Sequence, residues 1–286
     1  MTRYGRRRPR PAPPVNPFRF AVLSAQDAAD RGANVQAGAK VQELTRSDGI
    51  WSAKIRDEEV TAQVVIDTCG LLGRAKVDQR TLFVSLVNGE QETPTSAIFS
   101  VPYSDGLKLI GTETAADFDT LWTSEEVSVP ADPTAGFAIS EDAPKAITTH
   151  CVAACDARLL AENVVAELSP FVQMIGKKWT QHTVLPGGDF HAPFALEMLS
   201  DLKAQHPHAD ENLVTRLFYA YGTAADALLK DSTASAPDAA FLPAEIDYLR
   251  EKEWVTTSDQ VLWRRSSVGA RASTAVVDAL DSALAK

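Results

Sequence analysis

Apolar residues between Phe18 and Arg31 fall at 18, 21, 22, 25, 28 and 29, the spacing of an amphipathic helix. Gly32 is placed to end it, because glycine accepts the left-handed backbone that follows a last helical turn. The period then changes. Val35 begins a short strand, Lys40 to Thr45 alternates weakly, and Asp48-Gly49 is a hairpin signal. Ile50 to Arg56 reads as the return strand, with Trp51, Ala53 and Ile55 on one side. Val60 to Asp67 holds the apolar run Val64-Val65-Ile66, which predicts a buried strand. Strand signals resume from Thr81 to Thr114, where Ser104-Asp105-Gly106 separates Ile98–Tyr103 from Leu107–Thr112. Residues 115–145 are rich in Ala, Asp, Pro, Ser and Thr, show little period, and read as loop.

The remainder is helical in pattern. A helix runs from Asp156 to Leu168 and ends before Pro170. Pro186-Gly187-Gly188-Asp189 predicts a turn. Helices follow at 192–204, 211–220, 224–230 and 244–252, the last with Pro243 near its first turn. Ser258 and Ser273 are candidate caps for 259–265 and 274–285. The fold class is therefore α/β (α+β): a β-rich region followed by a C-terminal α-helical domain. The division expected is a basic tail at 1–17, a mixed domain at 18–165 and a helical domain at 170–286.

Charge refines this picture. The 286-residue chain carries −10, yet its first twenty residues hold six arginines (3, 6, 7, 8, 10 and 19) and no acid. The acidic body argues against nucleic acid as a partner, since phosphate binding is largely electrostatic. The basic tail suits a disordered segment or an anionic membrane surface. No run approaches a membrane span, and no apolar stretch follows the arginines as a signal peptide requires. Three cysteines suggest a reducing compartment, and Cys151 and Cys155 without further ligands predict no metal site. His206-Pro207-His208 reads as an exposed loop, and no Ser/His/Asp arrangement stands out.

One set of motifs points further. Pro186-Gly187-Gly188-Asp189-Phe190, Arg216-Leu217, Tyr221-Gly222-Thr223, Glu245-Ile246-Asp247-Tyr248-Leu249 and Leu262-Trp263-Arg264-Arg265 occur in that order. They resemble the C-terminal helical region of FAD-dependent, quinone-linked glycerol-3-phosphate dehydrogenases. The likeness extends loosely over 18–115 and well over 145–270. It implies oxidation of sn-glycerol 3-phosphate to dihydroxyacetone phosphate, with electrons passing through FAD to a quinone. It implies a cytoplasmic location, with a peripheral form at the inner face of the cell membrane. By resemblance, Val41 passes the adenine of FAD, and Thr68 and Gly70 lie in the tight turn Asp67-Thr68-Cys69-Gly70. Ala143 to His150 resembles a Gly-Gly-Lys-x-Thr-Thr turn entering a helix beside the flavin, with Thr148 and Thr149 as cofactor contacts and Lys145 toward substrate phosphate. Arg158, Arg264 and Arg265 are further cations to weigh, with ion pairing the first expectation for the last two. Trp254 and Trp263 are expected in the helical core, while Asp189 and Glu245 are expected to be structural.

The departures from that family are equally specific. Glycines before residue 80 stand at 5, 32, 38, 49, 70 and 73, so no G-x-G-x-x-G is present to hold a dinucleotide pyrophosphate. The Gly-Val-Arg-Pro element of the family is missing, both glycines before Lys145 are replaced, and Cys151 to Ala157 intervene before Arg158-Leu159-Leu160-Ala161-Glu162. These features predict a shortened member, impaired or inactive alone. The alternative is a non-catalytic remnant or interaction module. An in-frame strand–G-x-G-x-x-G–helix upstream of Met1 in the genomic DNA would favour the enzyme.

Overall fold

The computed structural model describes residues 17–68, 79–102, 107–112, 120, 122–123, 127–130, 136–139, 146–150, 154–173, 178–230, 241–266 and 268–285. The chain forms two units, Gln36–His182 and Asn16–Val35 with Thr183–Lys286. The N-terminal helix is thus grouped with the C-terminal helices, not with the strands that follow it in sequence.

In the first unit, β1 (Val41–Ser47), β2 (Ile50–Ile55) and β3 (Glu58–Ala62) form an antiparallel sheet in that order. The Asp48-Gly49 turn carries φ of 51° and 83°, the left-handed pair that a two-residue hairpin of matching twist requires. Trp51 is buried, as the alternation predicts. A second sheet joins β10 (Gly136–Ile139), β11 (Ala146–His150) and β4 (Val65–Asp67) in that order. The third centres on β5 (Gln79–Asn88), which pairs β7 (Leu107–Thr112), β8 (Trp122–Thr123) and β9 (Val127–Pro130), while β6 (Ala97–Pro102) pairs β7. The helix α2 (Ala154–Leu168) buries Val164 and Leu168 with Val64, Leu160 and Val172 packed against them.

Several expectations change here. The region expected as loop contains β8, β9 and β10, strands of two to four residues that gain their order from partners elsewhere in the chain. No strand forms at Val35. In β4 the apolar run is not uniformly inward: Ile66 is 45% exposed while Asp67 is buried. Thr148 and Thr149 lie in a strand, not in a turn entering a helix, and pairing with β10, and of Thr148 with β4, holds that conformation.

The second unit contains α1 (Pro17–Asp30), α3 (Ala195–Gln205), α4 (Glu211–Tyr221), α5 (Ala225–Lys230), α6 (Pro243–Glu253) and α7 (Thr274–Leu284). The stripe Val214, Leu217, Phe218 and Tyr221 of α4 is buried, and it packs with Leu202, Leu229, Leu249, Val261, Leu262 and Leu280 in one core. Asp210 caps α4, its carboxylate accepting from the N–H groups of Asn212 and Leu213 at 2.9 and 3.0 Å. Ser273 stands at the cap position of α7 without a side-chain capping bond. Thr257, rather than Ser258, meets the N–H of Gln260 at 3.3 Å. Residues Gln260–Arg265 form a π-helical turn; the wider winding buries Val261 and Leu262 and still brings Arg265 back to α6.

Two pairs of contacts explain the glycine-containing motifs. Gly187 and Gly222 meet backbone to backbone, and the N–H of Thr223 donates to the Gly187 carbonyl at 3.1 Å. The Thr223 hydroxyl donates to Asp189, so Asp189 holds a distant turn, a structural role as expected. Gly269 lies under Trp263: a Cβ there would stand 2.6 Å from the indole ring. Trp254 departs from expectation. It ends α6 in the left-handed conformation, φ 53° and ψ 37°, and is only partly buried.

Candidate functional site

The parallel pair β4–β11 brings together most of the residues implied as flavin contacts that the structure describes. Ala146, Ile147 and Thr148 align with Val65, Ile66 and Asp67. Thr68 and Thr149 therefore continue from the same carboxyl end of two parallel strands, the position at which open α/β sheets present ligands. Asp67, beside them, is 4% exposed; a carboxylate ending an apolar strand was the sequence signal for this buried acid. Val41 lies in the β1–β2–β3 sheet, opposite Ile55. Gly70 and Lys145 lie outside the described residues.

The other cations weighed for substrate phosphate are engaged. Arg158 donates to Glu162 at 2.9 Å and to the Thr180 hydroxyl at 3.2 Å, while Thr180 donates to the same carboxylate at 2.5 Å. Lys178 approaches Glu162 at 3.9 Å. The Thr180 hydrogen bond, then Arg158 and Lys178, hold the Glu162 carboxyl below its ordinary range. Arg264 lies 6.0 Å from the Phe18 ring centre. Arg265 donates to the Glu253 backbone carbonyl at 3.1 Å and sits 3.3 Å from its carboxylate. Burial in the company of Arg19 and Arg264 lowers the Arg265 pKa, though Glu253 opposes this.

Glu245 organises a second buried group. Arg216 clamps it with two bonds of 2.7 Å, and the Tyr221 hydroxyl donates to it at 2.8 Å. Burial first, then the charges of Glu245 and Glu253, push the Tyr221 hydroxyl well above the ordinary tyrosine range. The unfolded chain therefore loses this proton first, at about pH 10, and stability falls as pH rises from there toward the folded value. Wild type is expected to lose more stability than Tyr221→Phe above about pH 10, although the variant starts lower. Denaturant midpoints from pH 8 to 11 check this; parallel curves would refute it.

His206 also differs from its expected exposed loop. It is buried at the end of α3 and lies 2.9 Å from Asp226. The Lys230 and His206 hydrogen bonds hold the Asp226 carboxyl below its ordinary range. The partner is twenty residues away on α5, so local spacing could not reveal it. Among the described residues no group of three or more His, Cys, Asp or Glu could hold a metal ion.

Residues 178–285 match the family described as the C-terminal domain of alpha-glycerophosphate oxidase. This segment belongs to that family. The chain is also 25% identical to a glycerol-3-phosphate dehydrogenase of Pseudomonas aeruginosa, over 89% of this chain and 64% of that protein. Over 39% of this chain, and 23% of the relative, it is 33% identical to the aerobic glycerol-3-phosphate dehydrogenase of Escherichia coli K12. It shares its fold with the glycerol-3-phosphate dehydrogenase from Bacillus halodurans complexed with FAD. There the TM-score is 0.67 at 18% identity, over 94% of this chain and 69% of that one. The chain spans just under two thirds of the Pseudomonas relative. The motifs that identify the family are thus those that pack the helical unit: Pro186–Asp189 against Tyr221–Thr223, Arg216 on Glu245, and Trp263 over Gly269.

Proposed function

We propose that this chain is a glycerol-3-phosphate dehydrogenase-like flavoprotein that is impaired on its own. The complete reaction of this class oxidises sn-glycerol 3-phosphate to dihydroxyacetone phosphate and passes electrons through FAD to a quinone. The observation that carries the reading is the shared carboxyl end of β4 and β11, which joins Thr68 to Thr148 and Thr149 in a chain whose last hundred residues carry the family's domain.

The residues fit FAD only in part. Two strand ends with small residues suit the approach of a flat ring. The pyrophosphate needs N–H donors at a glycine-rich helix start, and the sequence holds no G-x-G-x-x-G. Substrate phosphate would fall to Lys145, because Arg158 and Arg265 are already paired with carboxylates. A cytoplasmic chain that meets the inner membrane face through its basic N-terminal residues accords with electron delivery to a quinone. Among the described residues no helix is long and apolar enough to cross a membrane.

A second reading, a non-catalytic remnant or interaction module, is favoured by the inward use of the family motifs. One preparation tests both. The purified chain is expected to be colourless, and added FAD is expected to leave its melting temperature unchanged, since a ligand tight for the native state must raise it. A yellow preparation that reduces a dye on addition of glycerol 3-phosphate would overturn the impaired state and exclude the remnant. Binding of FAD without turnover would keep the impaired enzyme and exclude the remnant.

A further inference from the structure

The residues that match the C-terminal family begin at 178, yet the shortest side-chain contact to Glu253, one of their two fully buried acids, comes from α1. Arg19 Nη1 lies 2.6 Å from Glu253 Oε2, across 234 residues of sequence, with side chains 13% and 0% exposed. Its Nη2 donates to the Ala220 carbonyl at 3.0 Å, and the guanidinium stands 5.5 Å from the centre of the Tyr221 ring. Seven residues on, and so on the same face of the helix, buried Gln26 donates to the Tyr248 hydroxyl at 3.0 Å. Asp30 lies 3.9 Å from Lys252.

Within the C-terminal segment, the side-chain cation nearest Glu253 is Arg265. Its Nε is 3.3 Å from the carboxylate but makes no hydrogen bond, and Glu253 Oε1 is also without one. Without α1, a fully buried carboxylate would keep only this imperfect contact, and an uncompensated buried charge is strongly destabilising. Tyr248 would lose its partner as well.

We infer that α1 is an integral part of the C-terminal domain. The groove formed by Ala220, Tyr221, Tyr248 and Glu253 is a binding site for a helix with arginine in its first turn and glutamine seven residues later. The occupant is Pro17–Asp30 of the same chain. This assignment is independent of whether the chain binds flavin.

The full chain tests it when a specific protease site replaces the largely exposed loop residues 33–37 between α1 and β1. After cleavage, the piece bearing α1 is expected to co-elute with the remainder in native size-exclusion chromatography. Arg19→Met is expected to weaken retention at least a hundredfold, and Gln26→Ala, a milder change that should leave the fold intact, about tenfold. Pairing Arg19→Met with Glu253→Met is expected to recover part of the loss, because both charges leave together. Aggregation of the remainder once α1 departs would support the assignment. It is overturned if unmutated α1 separates and the remainder keeps its melting temperature, or if Arg19→Met is retained as well as wild type.

Discussion

Gly222→Ala is expected to lower the melting temperature of the helical unit by on the order of 10 °C. Two costs combine. Gly222 has φ 57° and ψ −127°, a conformation that alanine reaches only with strain of about 1–3 kcal/mol. The added Cβ would also stand 1.8 Å from the Gly187 carbonyl oxygen and 2.7 Å from its carbon. Those atoms are backbone and cannot rotate away. The turn at 186–189 must therefore separate from Tyr221–Thr223, breaking the Thr223 N–H to Gly187 bond and the Thr223–Asp189 bond. Together these losses total about 4 kcal/mol or more. Gly32→Ala is the control within the same unit. Gly32 has φ +98°, and no atom lies within 4 Å of the place its Cβ would take, so it should cost only the backbone strain, about 1–3 kcal/mol. Thermal unfolding followed by tryptophan emission, with Trp254 and Trp263 as reporters within the unit, compares the two. A Gly222→Ala loss no greater than that of Gly32→Ala would mean the two turns are not locked.

The same lock shows what the sequence could and could not reveal. Gly187 was legible as a turn residue, because Pro-Gly-Gly-Asp restricts and frees the backbone in a local way. Its partner Gly222 was visible only as part of a family motif, since nothing local indicates which carbonyl it must approach. Helices were legible for a related reason: the stripe Val214, Leu217, Phe218, Tyr221 is written within one element. Strands β8 to β10 were not, because segments of two to four residues take their conformation from β5 and β11. At the candidate site, the resemblance supplied Thr68, Thr148 and Thr149, while the parallel register that joins them is a long-range property. Arg19 is the most instructive case. Composition counts it with five other arginines of the first twenty residues and does not set it apart; in the fold it is a nearly buried counter-ion to Glu253. His206 failed for the same reason, its acid lying on another helix.

Glu245→Ala is the second substitution expected to act strongly, at about 3–5 kcal/mol. Glu245 is fully buried and accepts two bonds from Arg216 and one from the Tyr221 hydroxyl. Alanine would leave the Tyr221 hydroxyl buried without its acceptor, which alone costs about 1–3 kcal/mol. It would also leave the Arg216 guanidinium without its two-bond clamp. Arg216 keeps 23% of its side chain exposed and lies 5.1 Å from the Phe241 ring centre, so water and the ring offset part of its loss and set the expectation toward the lower end. Glu245→Gln separates charge from hydrogen bonding. The amide oxygen can still accept from Tyr221, so this variant should lose less than alanine. Joining Glu245→Leu to Arg216→Met should recover much of the stability, because a buried pair removed whole leaves no orphaned charge. Denaturant midpoints of the four proteins decide the matter. A Glu245→Ala loss below about 1 kcal/mol would place this carboxylate among groups that solvent can replace, and Glu245-Ile246-Asp247-Tyr248-Leu249 would then need a role other than packing.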